Sequence, residues 1–152
     1  MRLAIIAVGR LKPGPMHDLA DEYLKRIAGP VAIREVEERR RLPPAALKER
    51  EGALLVEALP RGAFAVALDR GGTSLSSEEF AARLQRWREQ GTEELAFLIG
   101  GAEGLADAVL AKARFRLALG AMTWPHLLAR IMLLEQLYRA QQILAGHPYH
   151  RA

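Results

Sequence analysis

Three short stretches in the last third of the chain hold the residue types best suited to chemistry. The first, Gly100-Gly101-Ala102-Glu103-Gly104, follows the apolar run Leu95 to Ile99. Glycine lacks a Cβ, so a glycine turn after a strand lets backbone N–H and C=O groups come close to a ligand. The second is Met122-Thr123-Trp124-Pro125-His126, and the third is the ending His147-Pro148-Tyr149-His150-Arg151. Endings of this kind are more often frayed surface than site, yet the aromatic, imidazole and guanidinium groups here suit stacking on bases and holding phosphate. Their spacing predicts one site assembled from several loops.

Several chemistries are excluded or poorly supported. The glycine turn does not spell Gly-x-Gly-x-x-Gly, and no Gly-Lys-Ser/Thr follows it, so neither a dinucleotide fingerprint nor a P-loop is present. No Gly-x-Ser-x-Gly turn marks a hydrolase nucleophile. The chain has no cysteine, which removes disulfides, thiolate zinc sites and a thiol nucleophile. His147 and His150 are neighbours, but no acidic ligands cluster with them in sequence, so no metal site is expected.

The elements that must position these stretches alternate along the chain. Strand formers at Leu3 to Val8 end at Gly9, and Pro13-Gly14-Pro15 precedes a helix over about 17–27. A second strand covers 31–36, and Pro43-Pro44 leads into a helix over about 45–59. The third strand is Ala63 to Asp69, with Arg70-Gly71-Gly72-Thr73 expected as a loop after it. Ser76 or Ser77, with Glu79 nearby, offers the N-cap of a helix reaching about Arg88. Strands at 95–99 and 115–119 flank a helix over about 106–113, and a long helix spans about 125–145. Such alternation predicts an α/β fold, a mainly parallel sheet with helices on both faces, whose ligands sit beyond the carboxyl ends of the strands. The final helix has little polar face, from Leu127 and Leu128 through Leu137 and Tyr138 to Leu144. It must be buried on more than one side, by the core or by a partner subunit, with Arg130, Glu135, Arg139 and Gln142 paired or facing solvent.

A length of 152 residues, half of them hydrophobic, fits one domain over 1–152. The N-terminal apolar stretch reads as a strand and not as a signal peptide, and no run approaches the ~20 residues of a membrane span. A soluble cytoplasmic protein with no membrane partner is expected. Net charge is +4 and the pI about 9.8, a modest excess that favours an anionic partner. The run Arg39-Arg40-Arg41 reads more simply as a solvated face than as an RNA contact. Arginine outnumbers lysine 18 to 4 and asparagine is absent, which bears on genome or habitat and not on activity.

Taken together, Leu98-Ile99-Gly100-Gly101-Ala102-Glu103-Gly104, Met122 to His126 with Arg130, Glu135-Gln136-Leu137-Tyr138-Arg139-Ala140 and Tyr149-His150-Arg151 resemble the RlmH family. These are small SPOUT-class methyltransferases of 23S ribosomal RNA. Leu3 to Gly9 and Ala67-Leu68-Asp69 fit the same pattern, so the resemblance spans essentially the whole chain. One departure is Leu127, where some relatives carry a second proline.

The resemblance implies a C-terminal trefoil knot, a topology that periodicity cannot reveal, and a homodimer that binds S-adenosylmethionine in its knot loops. Leu68, Gly100, Leu119, Gly120, Ala121, Met122, Thr123 and Trp124 would hold that cofactor; no metal is implied. The implied reaction is methylation of N3 of a pseudouridine in helix 69 of 23S rRNA, within the assembled 70S ribosome. The N3 proton must leave, and His150, His126 or water could take it, with Tyr149 contacting the nucleoside and Arg151 a phosphate or the forming anion. The tail lies far in sequence from the cofactor loops, which suits a site shared between subunits. The rival reading is a noncatalytic ribosome- or RNA-binding module with the same fold; retained cofactor affinity separates the two. A small-substrate nucleotide or acyl enzyme rests only on the α/β pattern.

Overall fold

A computed structural model of the protein describes residues 1–151. The described residues form five strands and five helices in strict alternation: β1 (Arg2–Val8), α1 (Pro15–Arg26), β2 (Val31–Val36), α2 (Pro44–Ala58), β3 (Phe64–Ser74), α3 (Ser77–Glu89), β4 (Glu94–Ile99), α4 (Asp107–Lys112), β5 (Phe115–Ala118) and α5 (His126–Leu144). The sheet order is β2-β1-β4-β3-β5 and every pairing is parallel.

The residue pattern explains the layering. Side chains alternate across a strand, and in the central strands both sets are apolar, as a sheet covered on two faces requires. Ile5, Phe97 and Val66 point into one core with α1, α3 and α5. Ile6, Leu98 and Ala67 point into a second with α2 and α4, closed by Leu55 and Val109. The expected helices on both faces are therefore present.

Helix ends follow local chemistry. Pro15 occupies the first turn of α1, where its missing N–H is not needed, so the helix begins earlier than the break at Pro13-Gly14-Pro15 suggested. Ser76 is the N-cap of α3: its side chain accepts from the Glu79 amide at 3.1 Å, and Glu79 Oε2 accepts from the Ser76 amide at 2.7 Å. This reciprocal pair satisfies two backbone donors that the helix leaves free.

One expectation is corrected. Arg70-Gly71-Gly72-Thr73 is not a loop after the third strand, because β3 runs on to Ser74. Leu68 and Thr73 both pair with Leu117, so residues 69–72 bulge out between two stretches of one ladder. Gly72 permits this: a Cβ there would lie 2.6 Å from the Arg116 carbonyl oxygen, and only a residue without one lets the strand return to β5.

Helix α5 is buried on its core side through Ile131, Leu133, Leu134, Leu137 and Ala140, packed against α1 and α3. Its charges are paired as an interior helix requires. Arg130, 2% exposed, bonds to Glu35 and to the Gly9 carbonyl, and Arg139 pairs with Glu135. The Arg130 bonds tie α5 to β2 and to the end of β1.

Candidate active site

Because the strands run one way, the ends of β1, β3, β4 and β5 open on one edge of the sheet. There a cleft of about 780 Å³ lies between the end of β4 with the glycine turn, the bulge of β3, the segment after β5 and the start of α5. Its size falls within the roughly 300–1,000 Å³ typical of small-molecule sites.

The glycine turn is folded tightly on itself. Gly104 N–H donates to the Gly101 carbonyl at 3.0 Å, and Gly104 has φ +81°, a backbone shape that suits glycine. A Cβ on Gly100 would sit 2.7 Å from the Gly104 oxygen. The turn is therefore closed on its own backbone, and Gly100, Gly101 and Gly104 line the cleft without side chains.

The opposite wall is held by side chains that bond to backbone. Trp124 Nε1 donates to the Leu119 carbonyl at 2.9 Å and closes residues 119–124 into a compact loop. Arg70, from the β3 bulge, donates to Thr123 Oγ1 at 2.8 Å and links that loop to β3. Arg70 has no cue in the sequence as a site residue, because a bulge carried inside a strand reads there as an ordinary glycine loop.

Leu68, Gly100, Leu119, Gly120, Met122, Thr123 and Trp124 all line this cleft, as does His126; Ala121 lies in the same loop but is not among the lining residues. The His126 ring packs beside Gly9, where a Cβ would meet Nε2 at 3.0 Å. Burial, and then the charge of Arg130, lower its pKa, so the neutral imidazole is favoured and can accept a proton.

The ending lies elsewhere on its own chain. Tyr149 stacks edge-on against Tyr138, with ring centroids 4.7 Å apart, and its hydroxyl donates to Glu135 at 3.1 Å. Burial, and then the bond to Glu135, push the Tyr149 phenol up to about 12. His150 Nε2 is 2.7 Å from Glu78 and its Nδ1 is 3.1 Å from Arg139, and the His150 hydrogen bond is the main reason that Glu78 lies below its ordinary value. Arg151 is exposed. Tyr149, His150 and Arg151 are thus absent from the cleft lining within one chain.

Between the ending and the cleft runs an apolar groove of about 520 Å³. It shares Leu117, Leu119 and Gly120 with the cleft, and Glu135, which holds Tyr149, is part of its wall. Leu19, 45% exposed, stands on its α1 side.

A parallel sheet with a loop-built cleft at its carboxyl edge, walled by backbone on one side and by an indole on the other, defines an α/β protein whose cleft has the size and lining of a small-molecule site. The family model described as "Predicted SPOUT methyltransferase" matches residues 1–150. Ribosomal RNA large subunit methyltransferase H of Rhodospirillum centenum is 56% identical over 152 residues, with 100% of each chain covered. The chain belongs to the RlmH family of SPOUT methyltransferases. Solved structures share the fold at low identity. A probable methylase family protein from Haemophilus influenzae Rd KW20 matches with TM-score 0.59 and 12% identity over 99% of this chain and 70% of that one. The SpoU methyltransferase AviRb from Streptomyces viridochromogenes, in complex with the cofactor AdoMet, matches with TM-score 0.50 and 15% identity over 93% and 58%.

Proposed function

We propose that this protein is an S-adenosylmethionine-dependent methyltransferase of large-subunit ribosomal RNA, acting on N3 of a pseudouridine in helix 69 of the assembled 70S ribosome. One observation carries the reading: the cleft gathers Leu68, Gly100, Leu119, Gly120, Met122, Thr123 and Trp124 into a single cavity, on a chain 56% identical to a protein named as a ribosomal RNA large subunit methyltransferase.

The residues present fit the cofactor. Gly100, Gly101 and Gly104 line the cleft without side chains, and the leucines with Trp124 supply apolar walls for a purine beside backbone donors and acceptors. When bound, the cofactor supplies an electrophilic methyl group on a sulfonium. The enzyme's part is to hold N3 in line with that carbon and sulfur, so that the N–C bond forms as the C–S bond breaks. The N3 proton must pass to a base, and His126, which lines the cleft, His150 of the ending and water are the candidate acceptors. Tyr149, uncharged at neutral pH, can stack on the nucleoside and donate a hydrogen bond, while exposed Arg151 suits a phosphate or the forming anion.

The working unit in this reading is a homodimer in the cytoplasm, each chain one domain over 1–152 with its C-terminal part threaded through a trefoil knot. Support for the dimer is the apolar groove that joins the cleft to the ending. A second copy seated there would cover Leu19 and bring its own Tyr149-His150-Arg151 towards this cleft. Support for the knot is the match of residues 1–150 to the SPOUT family model. Among the described residues no helix is long and apolar enough to cross a membrane.

Methyl transfer from labelled S-adenosylmethionine to 70S ribosomes from a strain lacking this protein tests the proposal, with separated subunits and free rRNA alongside. Label confined to a helix 69 fragment of 70S ribosomes is the expected result. No label in any substrate, from folded protein, would overturn it and favour an RNA-binding module that has lost transfer.

A further inference from the structure

Behind the glycine turn, on the side away from the cleft, sits a carboxyl that the proposed reaction does not use. Glu51 lies on α2, one helical turn before Leu55, and is 8% exposed. Its Oε1 has no hydrogen-bond partner among the described residues. Both carboxyl oxygens crowd Gly101: a Cβ there would lie 3.0 Å from Oε2 and 3.1 Å from Oε1, with Val8 Cγ1 also at 3.0 Å. The next residue, Gly52, packs so closely on the end of the same turn that a Cβ would lie 2.8 Å from that of Ala106. Helix α2 thus supports the turn from behind through two consecutive residues.

We propose that Glu51 is a positioning residue for the glycine turn, its carboxyl head packed with Val8 against Gly101 so that the turn keeps the shape that receives the cofactor. The inference rests on the reading of the cleft as a cofactor site. An unpaired oxygen in this place is costly, and an apolar residue would fill the same space without that cost. The group's polar character therefore has a use: burial against Gly101 disfavours its charged form, so ionisation drives the turn outward.

The surroundings agree with that use. Glu103 is a charged neighbour in the turn itself, β1 brings Val8 against Gly101, and the start of α4 presents Ala106 and Val109 to the neighbouring Gly52. Burial, and then the charge of Glu103, push the Glu51 carboxyl up from its ordinary value of 4.5. A ligand that needs the undisturbed turn binds the neutral form better, so by linkage its binding raises the Glu51 pKa further. Affinity then falls as pH rises through the Glu51 titration, by about tenfold for each unit of that further rise.

The test follows two readouts across pH in the full-length protein. One is the backbone amide shifts of Gly100, Gly101 and Gly104 with the side-chain carbonyl shift of Glu51; the other is the affinity for S-adenosylhomocysteine by calorimetry. The proposal expects the glycine amides to move with the Glu51 midpoint, and affinity to weaken above it. Glu51→Gln, a neutral isostere, should keep low-pH affinity and lose both dependences, whereas Glu103→Gln should only lower the midpoint. Glycine amides that ignore the Glu51 titration, or a Glu51→Gln variant that keeps the wild-type profile, would overturn it. If the wild type binds no S-adenosylhomocysteine while its glycine amides still follow Glu51, the cofactor reading of the cleft falls and Glu51's positioning of the turn stands.

Discussion

Trp124 shows how much of the site depends on one hydrogen bond. Its indole N–H closes the 119–124 loop on the Leu119 carbonyl, while the ring, 39% exposed, adds little to the core. Trp124→Phe keeps an aromatic wall and deletes the donor, a loss of about 1 kcal/mol. The expected outcome is roughly fivefold weaker binding of S-adenosylhomocysteine by calorimetry with little change in Tm. The pair of Glu35 and Arg130 behaves differently. Burial acts to raise the Glu35 carboxyl, but hydrogen bonds from Arg130 and the Leu11 amide, with the charges of Arg130 and Arg10, outweigh it, and the group lies below its ordinary value of 4.5. The pair therefore stabilises the fold above that value, and the contribution is lost as pH falls through the lower folded value. Glu35→Gln should flatten the acid limb of a Tm-against-pH curve measured below about pH 4.5. At this scale the sequence and the resemblance it carries singled out Trp124 and His126, and both line the cleft. Glu51 was legible in principle, four residues before Leu55 on the stripe that α2 buries, but a lone glutamate in a charged segment reads as surface until the helix is packed.

At the scale of elements, the most consequential departure is the bulge that carries β3 past Asp69. Strand formers end there in the sequence and two glycines follow, which locally describes a loop equally well. What decides otherwise is the partner strand: Thr73 and Ser74 regain the ladder with Leu117 and Ala118 of β5, a non-local pairing that no window of residues contains. Gly72 makes that approach possible, since the atoms a Cβ would meet belong to the Arg116 backbone and cannot swing aside as a long side chain can. Gly72→Ala should cost about 1–3 kcal/mol in urea unfolding through overpacking. It should also weaken cofactor binding, because β5 ends at Ala118 and leads directly into Leu119, Gly120 and Trp124. Elements whose cues are local fared better. The cap of α3 at Ser76, with Ser77 as the other candidate, was read from neighbouring residues alone, whereas α1 opens at Pro15, ahead of the start expected near His17; the alternation that defines the parallel sheet needed only the spacing of apolar runs.

At the scale of the molecule, the cleft and the ending of one chain are separated by an apolar groove, and the proposed chemistry needs residues from both. Within a chain the ending is spoken for: Tyr149 and His150 are held by Glu135, Arg139 and Glu78. A two-fold dimer seated on the groove resolves this if each ending serves the partner's cleft, and that arrangement can be separated from its alternative by counting sites. Take Tyr149→Ala, which spoils the ending, and Thr123→Trp, which fills the cleft from an exposed loop; each homodimer should be inactive. Mixed in equal amounts and allowed to exchange subunits, half the dimers become hybrids. If endings cross between subunits, each hybrid holds one intact cleft facing one intact ending, and about a quarter of wild-type methyl transfer should return. If each ending serves its own cleft, every site in the hybrid contains one lesion and activity stays at the level of the separate variants. Size-exclusion chromatography of differently tagged chains confirms that exchange has taken place, so a flat result would count against the crossed arrangement and not against mixing.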